Sequence, residues 1–151
     1  MATKMQSEKV EYQTLVVIWA ALLMSQVMFL VLIYFIKPEL YAFDFSSSPL
    51  GDQPLVTIVF AIAALTVFAL SFVLRNQYMR RAVSDRNTGC VQTGLVLACA
   101  LSEMCSILGV ILAIAFGYQY FFLWIALGLI GILLHFPRKG NLDAASFQTT
   151  N

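Results

Sequence analysis

Charged side chains are scarce in this sequence: nine Lys and Arg and eight Asp and Glu, 11% of 151 residues. A soluble domain carries about 25%, so a water-facing surface wrapped around one core is excluded. Histidine occurs once, and the three cysteines, Cys90, Cys99 and Cys105, lack metal-ligand spacing. The cysteines read as small membrane residues, and His135 as an interface imidazole. No nucleophile–base pair, phosphate loop or cofactor fingerprint is present, which argues against an enzyme acting alone and against a bound cofactor or metal. A net charge of +1, with no basic run interleaved with aromatics, gives no reason to expect a nucleic-acid partner.

What the chain has in abundance is apolar sequence in blocks: 60% hydrophobic residues and a mean hydropathy of +0.83. These point to an all-α integral membrane protein, one membrane domain over 1–151, with four transmembrane helices in two antiparallel hairpins. The expected helices are about 15–36, 54–74, 91–116 and 119–136, set against the ~20 residues a helix needs to cross the hydrocarbon. The first is too long for a signal peptide and Lys37-Pro38-Glu39 follows it without a small-residue cleavage site, so it reads as retained. Residues 37–53, with two prolines, a serine triplet and Gly51-Asp52, read as a loop. Tyr41, Phe43 and Phe45 alternate within it as an expected surface anchor, and Pro54 suits the first turn of helix two. Residues 75–90 read as a charged loop, and Gly117-Tyr118-Gln119 as a very short turn. Trp19 and Trp124 read as interface aromatics.

Four spans put Lys4, Lys9, Arg75, Arg80, Arg81, Arg86, Arg138 and Lys139 on one side and Lys37 alone on the other. The positive-inside rule then makes both termini cytoplasmic, with the bacterial inner membrane as the expected location. The arginine cluster is explained by topology before any headgroup or partner binding.

Residues 94–116 contain the one Asp, Glu, Lys or Arg inside an apolar run, Glu103. A carboxylate at that depth costs about 3 kcal/mol even on lenient insertion scales if ionised and unpaired, so Glu103 is the first candidate for function. Gly94, Ala98, Ser102, Ser106, Gly109 and Ala113 recur around it at spacings of three and four, the small-residue pattern of closely packed membrane helices. Cys99, Glu103 and Ser106 fall on an adjoining strip, so Ser102 and Ser106 are the expected hydrogen-bond partners of the carboxyl.

From Glu103 onward, Glu103-Met-Cys-Ser-Ile107-Leu108-Gly109-Val110-Ile-Leu-Ala113 resembles the carboxylate helix of the c-subunit (proteolipid) family of rotary ATP synthases. The Glu, Ile, Gly and Ala positions match in register. Leu108 stands where the family has Tyr, the loop motif lacks its Pro, and helix two has Ala61, Ala63 and Ala64 in place of a glycine ladder. The resemblance implies proton transport, with Glu103, Ser102 and Ser106 at an ion site and Gly94, Ala98, Gly109 and Ala113 packing helices. It also implies a homo-oligomer or a subunit of a membrane complex. Sodium-type members commonly carry a hydroxyl residue after the Glu; Met104 follows here, which favours a proton.

Ala21-Leu-Leu-Met-Ser25-Gln26 also resembles Ala98-Cys-Ala-Leu-Ser102-Glu103, which makes Gln26 the repeat counterpart of Glu103. Two readings stand at this point: a proton-binding proteolipid-like protein, or a non-translocating structural or accessory subunit whose Glu103 packs helices.

Overall fold

The computed structural model describes residues 2–42 and 48–140. Four α-helices account for most of them: α1 Ala2–Ile36, α2 Pro54–Asp85, α3 Thr88–Phe116 and α4 Phe121–Leu134. A 3₁₀ turn, Pro38–Tyr41, follows α1, and no strand occurs among the described residues. Three helices, Tyr12–Ile36 within α1, α2 and α3, are long and apolar enough to cross a membrane, as an integral membrane protein requires. α4 is apolar but has only 14 residues, ~21 Å at 1.5 Å per residue against a hydrocarbon core of ~30 Å.

The boundaries differ from the sequence reading at the charged ends. Residues 75–90 were expected as a loop, yet α2 continues to Asp85 and the connection shrinks to Arg86-Asn87. Charge marks the edge of the hydrocarbon, but it does not end a helix. Arg, Gln, Met and Ala all favour the helix, and neither Gly nor Pro falls between 75 and 85. What ends α2 is Arg86 in the left-handed region (φ 50°), its N–H bonded to Ala82 O, which satisfies one orphan carbonyl. Asn87 then caps α3 with its side-chain oxygen accepting from Gly89 N at 2.9 Å. At the other end of α3, Gly117 (φ 63°) donates to Ala113 O and Tyr118 N to Leu112 O. Glycine takes that left-handed conformation without strain, and the expected tight turn into α4 results.

Of the two expected hairpins, the one pairing α3 with α4 forms and the one pairing α1 with α2 does not. α3 packs on all three other helices, and α1 lies against α3 and α4 rather than against α2. The long 37–53 connection permits this, because it imposes no neighbour relation on the helices it joins. The 3₁₀ turn folds back, with Tyr41 Oη donating to Leu30 O at 2.7 Å and its ring on Phe121. Tyr41 therefore packs against the bundle, while Phe43 and Phe45 lie outside the described residues. Tyr118 Oη to Pro49 O and Thr57 Oγ1 to Leu50 O tie down the far end of the connection.

α3 is the spine of the bundle. It contributes to all three apolar clusters: Val91, Leu95 and Cys99 with Leu15 and Ala82; Cys105 and Leu112 with Ala64 and Trp124; Val110 and Ala113 with Ile33, Phe121 and Ile125. Half of its most apolar window is buried within the chain, against 11% in α1 and 17% in α2. The exposed faces of α1 and α2, Met24, Met28, Phe35, Leu55, Ile62 and Leu65 among them, are large and apolar, suited to lipid.

Candidate functional site

Glu103 is half-buried on the edge of α3 that meets α1, flanked by exposed Ala100 and Met104. Its Oε1 is in hydrogen-bond contact with Ser25 Oγ of α1. One turn further along α3, Ser106 Oγ donates to Gln26 Oε1 of α1. The two helices thus exchange polar contacts: the acid of α3 meets the serine of α1, and the amide of α1 meets a serine of α3. Gln26 is only 2% exposed, and its Nε2 is buried without a hydrogen-bond partner.

Ser25 Oγ lies 2.7 Å from Leu22 O as well as in contact with Glu103 Oε1. A serine has one proton to donate, and two acceptor oxygens in contact without a proton repel. The one proton of Ser25 is therefore shared between Leu22 O and Glu103 Oε1.

The sequence-derived site residues divide between this joint and the seam of α3 with α4. Ser106 belongs to both. Ser102 does not reach Glu103; its hydroxyl donates to Ala98 O at 3.0 Å. Ser102 and Ser106 instead face Gly131 and Gly128 of α4, where an added Cβ would overlap their side chains. Gly109 receives the Trp124 side chain, and Gly94 receives Tyr78 of α2. Ala98 and Ala113 are fully buried. The small face of α3 is therefore filled from within the chain, by α4 over most of its length and by α2 at Gly94. Trp124, expected at the interface, is part of that core. The matching glycines of α4 were overlooked in the sequence, although Gly128 and Gly131 are three apart in an otherwise bulky helix.

A second polar cluster was not anticipated at all. His135, fully buried, sits between Ser71 and Arg75 of α2. Arg75 Nη1 donates to His135 Nδ1 and to Leu134 O, each at 3.0 Å, and Nη2 donates to Phe136 O at 3.2 Å. Ser71 Oγ spends its proton on Phe68 O at 2.6 Å, so it accepts from His135 Nε2–H at 3.0 Å. These contacts are mutually consistent with the imidazole neutral and protonated on Nε2. Arg75 also satisfies carbonyls at the end of α4, which would otherwise be orphaned.

A cavity of about 110 Å³ lies at the other end of the bundle, lined by Asp52, Gln53, Thr57, Tyr118 and Gln119 among others. A crevice of about 10 Å³ lies beside Arg75. Glu103 lines neither.

Comparison with known proteins returns no match: no family model, no curated protein and no solved structure is similar to this chain. The likeness to the rotary proteolipids therefore rests on the residues of α3 alone.

Proposed function

We propose that this chain is a four-span membrane protein of structural or accessory type, in which Glu103 joins α1 to α3. Residue counting supports the four spans. Arg75 is ~32 Å from Pro54 along α2, Leu15 is ~33 Å from Lys37 along α1, and Leu95 is ~32 Å from Phe116 along α3. Each distance is about one hydrocarbon thickness, so these three residues mark one boundary. α4 ends at that boundary because Arg75 holds carbonyls 134 and 136. It begins next to Gly117 at the other boundary, and Tyr118–Tyr120 make up the missing length. Both ends of α4 are then anchored at opposite surfaces, and the cluster of Lys and Arg at the Arg75 end makes that end cytoplasmic.

The single observation that carries the functional reading is the reciprocal exchange between Ser25-Gln26 and Glu103/Ser106. Polar groups spent on one another inside one subunit act as a fastening, and in lipid such contacts stabilise by ~0.6 kcal/mol on average, up to ~1.7. The central position of α3 points the same way, since three neighbours leave it little free surface. The proton-carrying, proteolipid-like reading keeps one observation in its favour: the carboxyl is half-exposed at the rim of α3 rather than sealed.

Reconstitution separates the two. Under the structural reading, vesicles containing the protein pass protons no faster than empty ones. Glu103→Gln, which keeps a donor and an acceptor, then assembles and melts like the parent. A proton flux that is lost in Glu103→Gln, and blocked when a hydrophobic carbodiimide modifies Glu103, would establish the proteolipid reading instead.

A further inference from the structure

The Arg75 end of the bundle carries a crevice that the polar joint does not explain. It is floored by Leu15 of α1, Met79 of α2 and Val91 and Leu95 of α3, and walled by Pro137 with the side chains of Arg75 and Arg138. Every group that Arg75 binds is uncharged: two carbonyl oxygens and the neutral imidazole. Three of its five N–H groups are thereby used, leaving Nε–H and one Nη2–H. The other charged side chain lining the crevice is a second cation, Arg138. Two guanidiniums converging on an apolar floor, at the depth where the hydrocarbon ends, form an incomplete arrangement. What completes it is an anion attached to an apolar body.

We infer that this crevice seats the phosphate of an anionic phospholipid, with one oxygen between Arg75 and Arg138. The volume, about 10 Å³, admits about one oxygen-sized group. One phosphate oxygen therefore enters while the rest of the headgroup stays in the interface. Guanidinium suits this better than ammonium, because its fork gives two parallel hydrogen bonds to a phosphate. Arg75 fixes the geometry, since its other donors are pinned to the end of α4, and Arg138, exposed at the rim, adds the second charge. A soluble phosphate has the same headgroup chemistry, but the crevice lies where the hydrocarbon ends and headgroup phosphates are concentrated, which is why the lipid is the preferred source.

Native mass spectrometry of the full chain, titrated with phosphatidylglycerol, phosphatidylcholine or inorganic phosphate, tests this. One phosphatidylglycerol should bind per protomer, well ahead of phosphatidylcholine, and millimolar phosphate should not displace it. Arg138→Gln should weaken binding about fivefold, the equivalent of ~1 kcal/mol for one interfacial cation. Arg138→Lys should recover only part of that loss. Arg80→Gln removes the same charge from an exposed site on α2 outside the crevice and should leave binding unchanged. None of these three variants disturbs the hold of Arg75 on α4, so loss of binding is not loss of fold. Equal uptake of both lipids, equal weakening by Arg80→Gln, or displacement by inorganic phosphate would each overturn the inference.

Discussion

Arg75 Nη1 donates to His135 Nδ1 at 3.0 Å, so a guanidinium and the chain's one imidazole are neighbours that cannot both carry charge comfortably. His135, just past the end of α4, is fully buried. Burial, and after it the Arg75 charge, pushes its imidazole down from 6.5 to about 4. The unfolded chain therefore binds a proton that the folded chain refuses between those values. Stability has its full value above about pH 6.5 and falls as pH drops from there towards 4. Thermal melting in detergent should show this slope, and His135→Gln should flatten it between pH 6.5 and 5. An unchanged slope in the variant would remove His135 as its source.

Arg75 itself is predicted to hold α4 in place. Arg75→Gln frees the carbonyls of Leu134 and Phe136 and leaves His135 Nδ1 without its donor. The two carbonyl bonds are exposed and the His135 contact is part-buried, so the loss should be about 1–3 kcal/mol in all, most of it at His135, and the variant should melt below the parent. Hydrogen exchange should rise first in the last turn of α4; a rise confined to α2 would contradict the capping role.

The seam between α3 and α4 makes a paired prediction. Gly128 meets Ser106, and Gly109 meets Trp124, so closely that any Cβ must displace its neighbour. Gly109→Leu or Gly128→Leu should lower stability by about 1–3 kcal/mol or more through overpacking. Ile111→Leu, on an exposed position of the same helix, should be nearly silent. Because the seam is filled within the chain, the glycine variants should lose fold stability before they lose any self-association. The opposite order would make the small-residue face an interface between copies.

Topology is open to direct test. Cysteines introduced as Ser84→Cys, near the end of α2, and Ser48→Cys, before it, should react with an impermeant thiol reagent from opposite sides, Ser84→Cys from the cytoplasm. Labelling of both from one side would contradict the crossing by α2, and labelling of Ser84→Cys from outside intact cells would reverse the orientation.

Much of this was legible from the residues, and the exceptions share one cause. Long apolar blocks give helices because a bilayer leaves backbone groups no other partner, and the small residues of 94–116 mark a seam because only they permit close approach. Sequence spacing along α3 alone, however, cannot say which helix supplies the partner. Ser102 and Ser106 looked like the natural ligands of Glu103, yet the contact comes from Ser25, seventy-eight residues away. His135 looked solitary because Ser71 and Arg75 meet it only once α2 runs beside the end of α4. The likeness between Ala21–Gln26 and Ala98–Glu103 did hold useful information, since Ser25-Gln26 is the stretch that meets Glu103 and Ser106.

The central claim is that Ser25 and Glu103 fasten α1 to α3, and a double-mutant cycle measures that directly. Ser25→Ala, Glu103→Leu and the double variant would be compared with the parent by equilibrium unfolding in bicelles. The coupling energy isolates the pair from the burial and volume effects of each change. The account predicts a favourable coupling of ~0.6 to ~1.7 kcal/mol. Additive losses, with a coupling within ~0.3 kcal/mol of zero, would show that Glu103 does not fasten the helices and would contradict the account.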